Sequence, residues 1–90
     1  MLHPHWDELK QAVFDSYPNF ERRLLDYEKM SKIEFNTCLL IKCKLNASAI
    51  GMLLCKTRTT VYSICKRLYL KNFGEKAPAS KWEELINTIY

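Results

Sequence analysis

The sequence predicts a small all-α protein of five or six short helices with a helix-turn-helix near its centre. Apolar residues recur at helical spacing along most of the chain, and no alternation of strands and helices is visible. Two glycines and three prolines in 90 residues are too few for a β protein with many tight turns. We expect a single domain over residues 1–90, with leading helices in 1–30, a helix-turn-helix core in 31–74 and a closing helix in 75–90.

The leading region predicts two helices. The first spans about residues 6–16 and has apolar residues at helical spacing, namely Trp6, Leu9, Val13 and Phe14. Pro18 suits the first turn of the second helix, where its missing N–H costs nothing, and we expect that helix to continue to about Lys29. The candidate core residues of this second helix are Phe20, Leu24, Leu25 and Tyr27.

Two capping boxes, each a serine followed three residues later by a glutamate, predict further helix starts. Ser31 with Glu34 opens a third helix that we expect to end near Lys44. Ser80 with Glu83 opens the closing helix. The closing helix has an apolar stripe at helical spacing, formed by Trp82, Leu85, Ile86 and Ile89.

The central pair of helices has its own end signals. Asn46 is a suitable N-cap for a short helix over residues 47–54, and Thr57 can cap a longer one over 58–73 after a three-residue turn. Gly74 stands where a C-cap glycine belongs. This short helix, tight turn and longer helix have the lengths of a helix-turn-helix.

Gly51 is the most informative residue of the pair. Glycine inside a helix costs about 0.5–1 kcal/mol relative to alanine, so its presence there needs a packing reason. Close approach of the second helix supplies one, and a glycine tolerated in a loop is the alternative. Apolar residues flank the expected crossing at suitable offsets, namely Ile50, Leu54, Val61 and Ile64. The buried side of the longer helix is expected to hold Val61, Ile64, Cys65, Leu68 and Phe73.

The positive charge is concentrated in the centre of the chain. Residues 36–76 contain eight Lys or Arg and one acid, which gives them a net charge of +7. Residues 1–35 have a net charge of −2 and residues 77–90 a net charge of −1. A surface that binds a polyanion requires this kind of concentration, although a basic run can also be an ordinary solvated face.

The longer helix has the side chains of a recognition helix. Arginine can bind guanine through two hydrogen bonds, and serine or threonine can contact several bases. The residues expected to contact bases lie near the start of the helix: Arg58, Thr59, Tyr62 and Ser63. The residues expected to contact phosphates are Lys42, Lys56, Thr60, Lys66, Arg67 and Lys71. The predicted partner is therefore double-stranded DNA, bound with the recognition helix in the major groove.

The stretch 30–74 resembles the LuxR-type helix-turn-helix found at the carboxyl ends of many bacterial response regulators. That family has a capped start with Glu in the first turn, a Ser/Thr-x-x-Thr-Val entry into the recognition helix, and a basic tail that ends in Leu/Phe-Gly. The matching residues are Glu34, Asn46, Ile50, Leu54, Thr57, Thr60, Val61, Arg67, Lys71, Phe73 and Gly74. The resemblance covers about half of the chain without gaps and implies DNA binding in transcription regulation.

Two neighbouring stretches are similar to a more particular group. Residues 6–20 and the run 38–42 resemble the carboxyl-terminal region of bacterial signalling proteins with tetratricopeptide repeats, a membrane span and a coiled coil. The resemblance implies that this chain is a fragment or short relative of a larger sensor-regulator. A parent protein of that kind would be tethered to a membrane and would act in signal transduction.

The sequence gives little support to an enzyme, a metal site or a cofactor. It has no Ser/His/Asp set, no glycine loop that could hold phosphates and no cluster of metal ligands. The four cysteines, Cys38, Cys43, Cys55 and Cys65, lack the close pairs of a zinc site, so we expect reduced thiols that pack as small apolar groups. No run of about 18 apolar residues and no secretion signal is present, so we expect a cytoplasmic domain without membrane contact.

The rival hypothesis is a helical module that binds proteins and not DNA, because fold does not fix function. The stripe on the closing helix could pack on the core or on a second copy of the chain, which would make a homodimer. Two features separate the hypotheses. A DNA reader keeps its cations exposed on one face, whereas a protein-binding module has an exposed apolar patch there.

Overall fold

The computed structural model describes residues 6–27 and 29–89, and these form six α-helices without a strand. The helices are α1 (Trp6–Ser16), α2 (Phe20–Asp26), α3 (Lys32–Lys42), α4 (Ala47–Leu54), α5 (Arg58–Phe73) and α6 (Ala79–Asn87). The predicted all-α class is therefore confirmed. No helix in the described ranges has the length and apolar character that crossing a membrane requires.

Helix α3 is the central element of the fold. It contacts α1, α4, α5 and α6, and α5 in turn packs against α4 and α6. Nearly all of its second half is buried, in the run Thr37, Cys38, Leu39, Leu40, Ile41 and Lys42. The other large buried side chains come from α2, α4, α5 and α6, and they include Phe20, Ile50, Val61, Leu68, Trp82 and Ile86. This single core holds α4 and α5 in a fixed relation to the rest of the chain.

The predicted caps of the central helices are confirmed. Glu34 N donates to Ser31 Oγ at 3.3 Å, and Ser31 N donates to Glu34 Oε1 at 2.8 Å, which completes the capping box of α3. The side chain of Asn46 accepts a hydrogen bond from the backbone of α4, and that of Thr57 does the same for α5. Gly74 ends α5 in the left-handed conformation, with φ 73°.

The second and last helices begin at different residues from those predicted. Helix α2 starts at Phe20, after Asn19, so Pro18 lies in the preceding turn and not in the first helical turn. It ends at Asp26 because Tyr27 takes an extended conformation. Helix α6 starts at Ala79 with Pro78 as N-cap, and no side chain caps it, so the prediction of a capping box at Ser80 is wrong.

Two expected core residues are exposed, namely Leu25 and Phe73. Leu25 lies one step round the helix from the buried Leu24. Phe73 is the last residue of α5, where its ring contacts those of Tyr27 and Tyr69 at the surface. The stripe on α6 behaves as the core alternative predicts, since Trp82, Ile86 and Ile89 are buried and Leu85 is partly buried. These side chains are not free to pair two copies of the chain, and the structure gives no support to a homodimer through them.

Candidate nucleic-acid interface

Helices α4 and α5 are joined by a tight turn of three residues. Cys55 takes the left-handed conformation there, with φ 58° and ψ 40°. Lys56 N donates to Gly51 O at 2.8 Å, which satisfies a carbonyl at the end of α4 and reverses the chain. Thr57 then caps α5, so the turn is fixed by hydrogen bonds on both sides.

Gly51 has a packing reason, but the neighbour differs from the one that the sequence predicts. A Cβ at this residue would lie 2.7 Å from Lys56 O, which is closer than real Cβ contacts allow, and 3.2 Å from Thr57 C, which is a tight contact. The neighbour is therefore the backbone of the turn and not the body of α5. Only glycine lets the turn fold back against α4 in this way.

Helix α5 has one buried face and one exposed face. Val61, Ile64, Cys65 and Leu68 are fully or almost fully buried against the rest of the fold. The exposed face holds five polar or cationic side chains, which we call the basic face: Arg58, Thr59, Ser63, Lys66 and Arg67. Tyr62 lies at its edge and is 39% exposed. The structure therefore presents all four predicted base-contacting residues at the surface near the start of α5.

No acidic residue interrupts the chain between Glu34 and Glu75. Both of these carboxylates have partners away from the basic face. Glu34 forms an ion pair with Lys71 at 3.4 Å, and Tyr69 Oη donates to Glu75 Oε1 at 3.5 Å. Glu83 of α6 approaches the edge of the face, where it lines a groove together with Tyr62. The segment 35–74 therefore contains no carboxylate that could neutralise the basic face.

Five of the six predicted phosphate contacts fall into three groups. Lys56, Lys66 and Arg67 are exposed around α5. Thr60 is partly buried, and its hydroxyl lies 3.0 Å from that of Thr57 in a hydrogen bond. Lys71 lies near the far end of α5, and it would have to exchange its present partners for a phosphate.

Those partners hold Lys71 against α3. Its Nζ donates to Lys29 O at 3.1 Å and to Glu34 Oε1 at 3.4 Å. Burial acts to raise the pKa of Glu34, but the backbone hydrogen bond from Ser31 and the charge of Lys71 outweigh it, so the pKa is lowered. Glu34 is therefore ionised at neutral pH, and it competes with any DNA phosphate for the ammonium group of Lys71.

Lys42 is not a phosphate contact, and this prediction is wrong. The residue is 2% exposed. Its Nζ donates to Asn87 O at 3.1 Å and lies 4.2 Å from the centre of the Tyr17 ring. Burial, with a smaller contribution from the charge of Lys44, lowers the pKa of the ammonium group. Sequence alone could not place Lys42 in the core, because Tyr17 and Asn87 lie far from it along the chain.

The thiols differ from one another in their surroundings. Cys38 and Cys65 are buried as expected, and burial raises the pKa of each to about 12. Trp82 Nε1 donates to Cys38 Sγ at 3.4 Å, so this thiol belongs to the core. Cys55 is exposed in the turn, which contradicts the expectation of burial there. Within the described ranges, no group of His, Cys, Asp and Glu is arranged to hold a metal ion.

One cation of this surface escaped the sequence prediction. Lys76 lies in the loop between α5 and α6, and it lines a groove together with Lys66 and Arg67. The signal was present, because residue 76 lies at the edge of the basic segment. It was missed because the loop lies outside the helix-turn-helix.

A scan against protein-family models finds no match to this chain, and searches of curated proteins and of solved structures find none either. The LuxR-type resemblance therefore remains a prediction from the sequence.

Proposed function

We propose that this chain binds double-stranded DNA through α4 and α5, as an effector domain of bacterial transcription regulation. The observation that carries the proposal is the basic face of α5. It follows directly on a glycine-dependent tight turn, and it contains three cations and no acid. A recognition helix needs a first turn whose position is fixed by the fold, and a positively charged surface that can form hydrogen bonds.

The first two turns of α5 would read base edges. From Arg58 to Ser63 the helix rises about 7.5 Å, which fits within a major groove about 12 Å wide. Arg58 can bind guanine through two hydrogen bonds, and the hydroxyls of Thr59 and Ser63 can contact several bases. Tyr62 would contact the edge of the groove with its exposed ring.

Cations around the helix would hold the phosphates. Lys66 and Arg67 lie about one turn beyond Ser63 on α5, and Lys56 lies in the turn that precedes the helix. Three such contacts give weak binding that falls steeply with salt. Because the stripe on α6 is buried, useful affinity would come from tethering within a larger protein and not from pairing through α6.

Fluorescence anisotropy with a labelled random-sequence duplex of about 20 base pairs tests the proposal. The full chain should bind with a log–log salt slope of about −2 to −5. The double variant Lys66→Ala, Arg67→Ala should bind more weakly and with a slope shallower by about 2. The matched control is Lys10→Ala with Arg22→Ala, which removes the same charge from α1 and α2. Absence of binding at low salt, or equal effects of the two double variants, would contradict the proposal.

A second candidate function has its own support. Met52 of α4 is 80% exposed and Leu70 of α5 is 42% exposed, and large apolar side chains at a surface are typical of protein-binding sites. A helical interaction module would use these residues. Met52→Ser would then remove binding to a protein partner, whereas the DNA proposal expects that variant to leave the salt slope unchanged.

A further inference from the structure

The loop between α5 and α6 forms a groove with the exposed side of α5. Gly74 reverses the chain at the end of α5, with its N–H donating to Leu70 O at 2.8 Å. The following residues run back beside the helix. The groove has a volume of ≈ 580 Å³ and is lined by Lys66, Arg67, Leu70, Lys76, Ala77 and Pro78.

The groove is cationic at its rim. Lys66 and Arg67 approach from α5, and Lys76 approaches from the loop. Among the residues that the structure describes, no carboxylate lines the groove, and the neighbouring Glu75 accepts a hydrogen bond from Tyr69 Oη at 3.5 Å. Three exposed positive charges around one groove create a positive potential that favours an anionic occupant.

The floor of the groove is apolar. Leu70, Ala77 and Pro78 form it, and Leu70 is 42% exposed. A nucleic-acid backbone matches this pattern, since it alternates charged phosphates with sugar rings that present C–H groups. Contacts to phosphate and sugar also make up half to two-thirds of the hydrogen bonds between proteins and DNA.

We propose that this groove binds the phosphodiester backbone of the DNA, with Lys76 as a phosphate contact supplied from outside the helix-turn-helix. This inference rests on the proposed DNA-binding function. Lys66 and Arg67 hold the strand from the α5 side, and Lys76 closes on it from the loop. The loop thereby limits how deeply the amino-terminal half of α5 enters the major groove. Because a phosphate contact carries no sequence information, Lys76 strengthens binding to every duplex alike.

The test compares Lys76→Ala with Lys81→Ala in the salt titration described above. Both lysines are exposed and both variants lose one charge, but Lys81 lies on α6 beside Glu84 and outside the groove. Lys76→Ala should make the log–log slope shallower by about 1, so that its loss of affinity between 50 and 200 mM salt is about fourfold smaller than that of the native chain. Lys81→Ala should match the native chain.

The outcomes separate this inference from the function on which it rests. If Lys76→Ala behaves like Lys81→Ala while Lys66→Ala with Arg67→Ala still weakens binding, DNA binding stands and the role of Lys76 is overturned. If the native chain does not bind the duplex at low salt, both are overturned. The variant Leu70→Ala tests the apolar floor of the groove. It should weaken DNA binding about equally at all salt concentrations and leave the log–log salt slope unchanged.

Discussion

The carbonyl oxygen of Lys56 lies 2.7 Å from the position that a Cβ would take on Gly51. The two residues are also joined by a hydrogen bond of 2.8 Å, from Lys56 N to Gly51 O. This contact folds the turn back against α4 and sets where α5 begins. It therefore links the most unusual residue of the sequence to the placement of the basic face.

Replacing Gly51 by alanine should destabilise the protein. Alanine is the better helix former, but its Cβ would push against backbone and not against a flexible side chain, and such overpacking costs about 1–3 kcal/mol. Urea unfolding of Gly51→Ala measures the net effect. The neighbouring Met52→Ala, at an exposed site, should stay within about 0.5 kcal/mol of the native chain. A Gly51→Ala variant as stable as the native chain would show that the turn is not constrained.

The sequence predicts those features of the structure that depend on residues close together along the chain. The caps at Ser31, Asn46 and Thr57 were predicted correctly because each involves a side chain and a backbone N–H three residues away. Gly51 was also identified, since a glycine inside a helix is a local anomaly. The basic face of α5 could likewise be located from periodicity and charge.

Features that depend on distant contacts could not be predicted. Lys42 was assigned to the DNA surface, but Tyr17 and Asn87 place it in the core. The end of α2 was set too late along the chain because Tyr27 leaves the helix to pack its ring 5.1 Å from that of Trp82. Lys76 was overlooked because only the folded loop brings it beside α5.

The contribution of Lys42 to the free energy of unfolding should depend on pH in the alkaline range. Its pKa is lowered in the folded chain, so between that value and the ordinary value of 10.5 the unfolded chain binds more protons. Folding stability should therefore rise as the pH increases through this window. Urea unfolding at pH 7.5, 9 and 10 should show the native chain gaining stability relative to Lys42→Met as the pH rises. A constant difference between the two proteins over this range would contradict the account of a buried ammonium group.

The ion pair between Glu34 and Lys71 should be separable from the capping box. Glutamine can also serve in a capping box, so Glu34→Gln keeps the cap and removes the charge. Because Lys71 is partly exposed, the expected cost is below about 1 kcal/mol at neutral pH. The pKa of Glu34 is lowered by folding, so this contribution should be present above the ordinary value of 4.5 and lost as the pH falls through the folded value.

The same substitution bears on DNA binding. Glu34→Gln releases Lys71 from its carboxylate partner, which should tighten binding to a random duplex if Lys71 contacts phosphate. A double-mutant cycle with Lys71→Met measures this coupling. Unchanged affinity in both single variants would remove Lys71 from the set of phosphate contacts.

The four thiols should react at very different rates. Cys55 is exposed and should be alkylated first by a maleimide, while Cys43 is partly buried with a raised pKa and should follow. Cys38 and Cys65, with pKa values near 12, should react only on unfolding. Mass spectrometry of the alkylated peptides gives the order. Early modification of Cys38 would contradict its place in the core beside Trp82.

The most direct test of DNA binding through α5 is a map of backbone amide shifts in the ¹⁵N-labelled 90-residue chain on addition of an unlabelled duplex of about 20 base pairs at low salt. We predict that the largest shift changes fall in residues 56–67, in the turn and the first half of α5. A second set of shift changes should fall around residue 76. Residues of α1 and α2 should change little. Changes concentrated on α1 or α2, or no changes at all, would contradict the account.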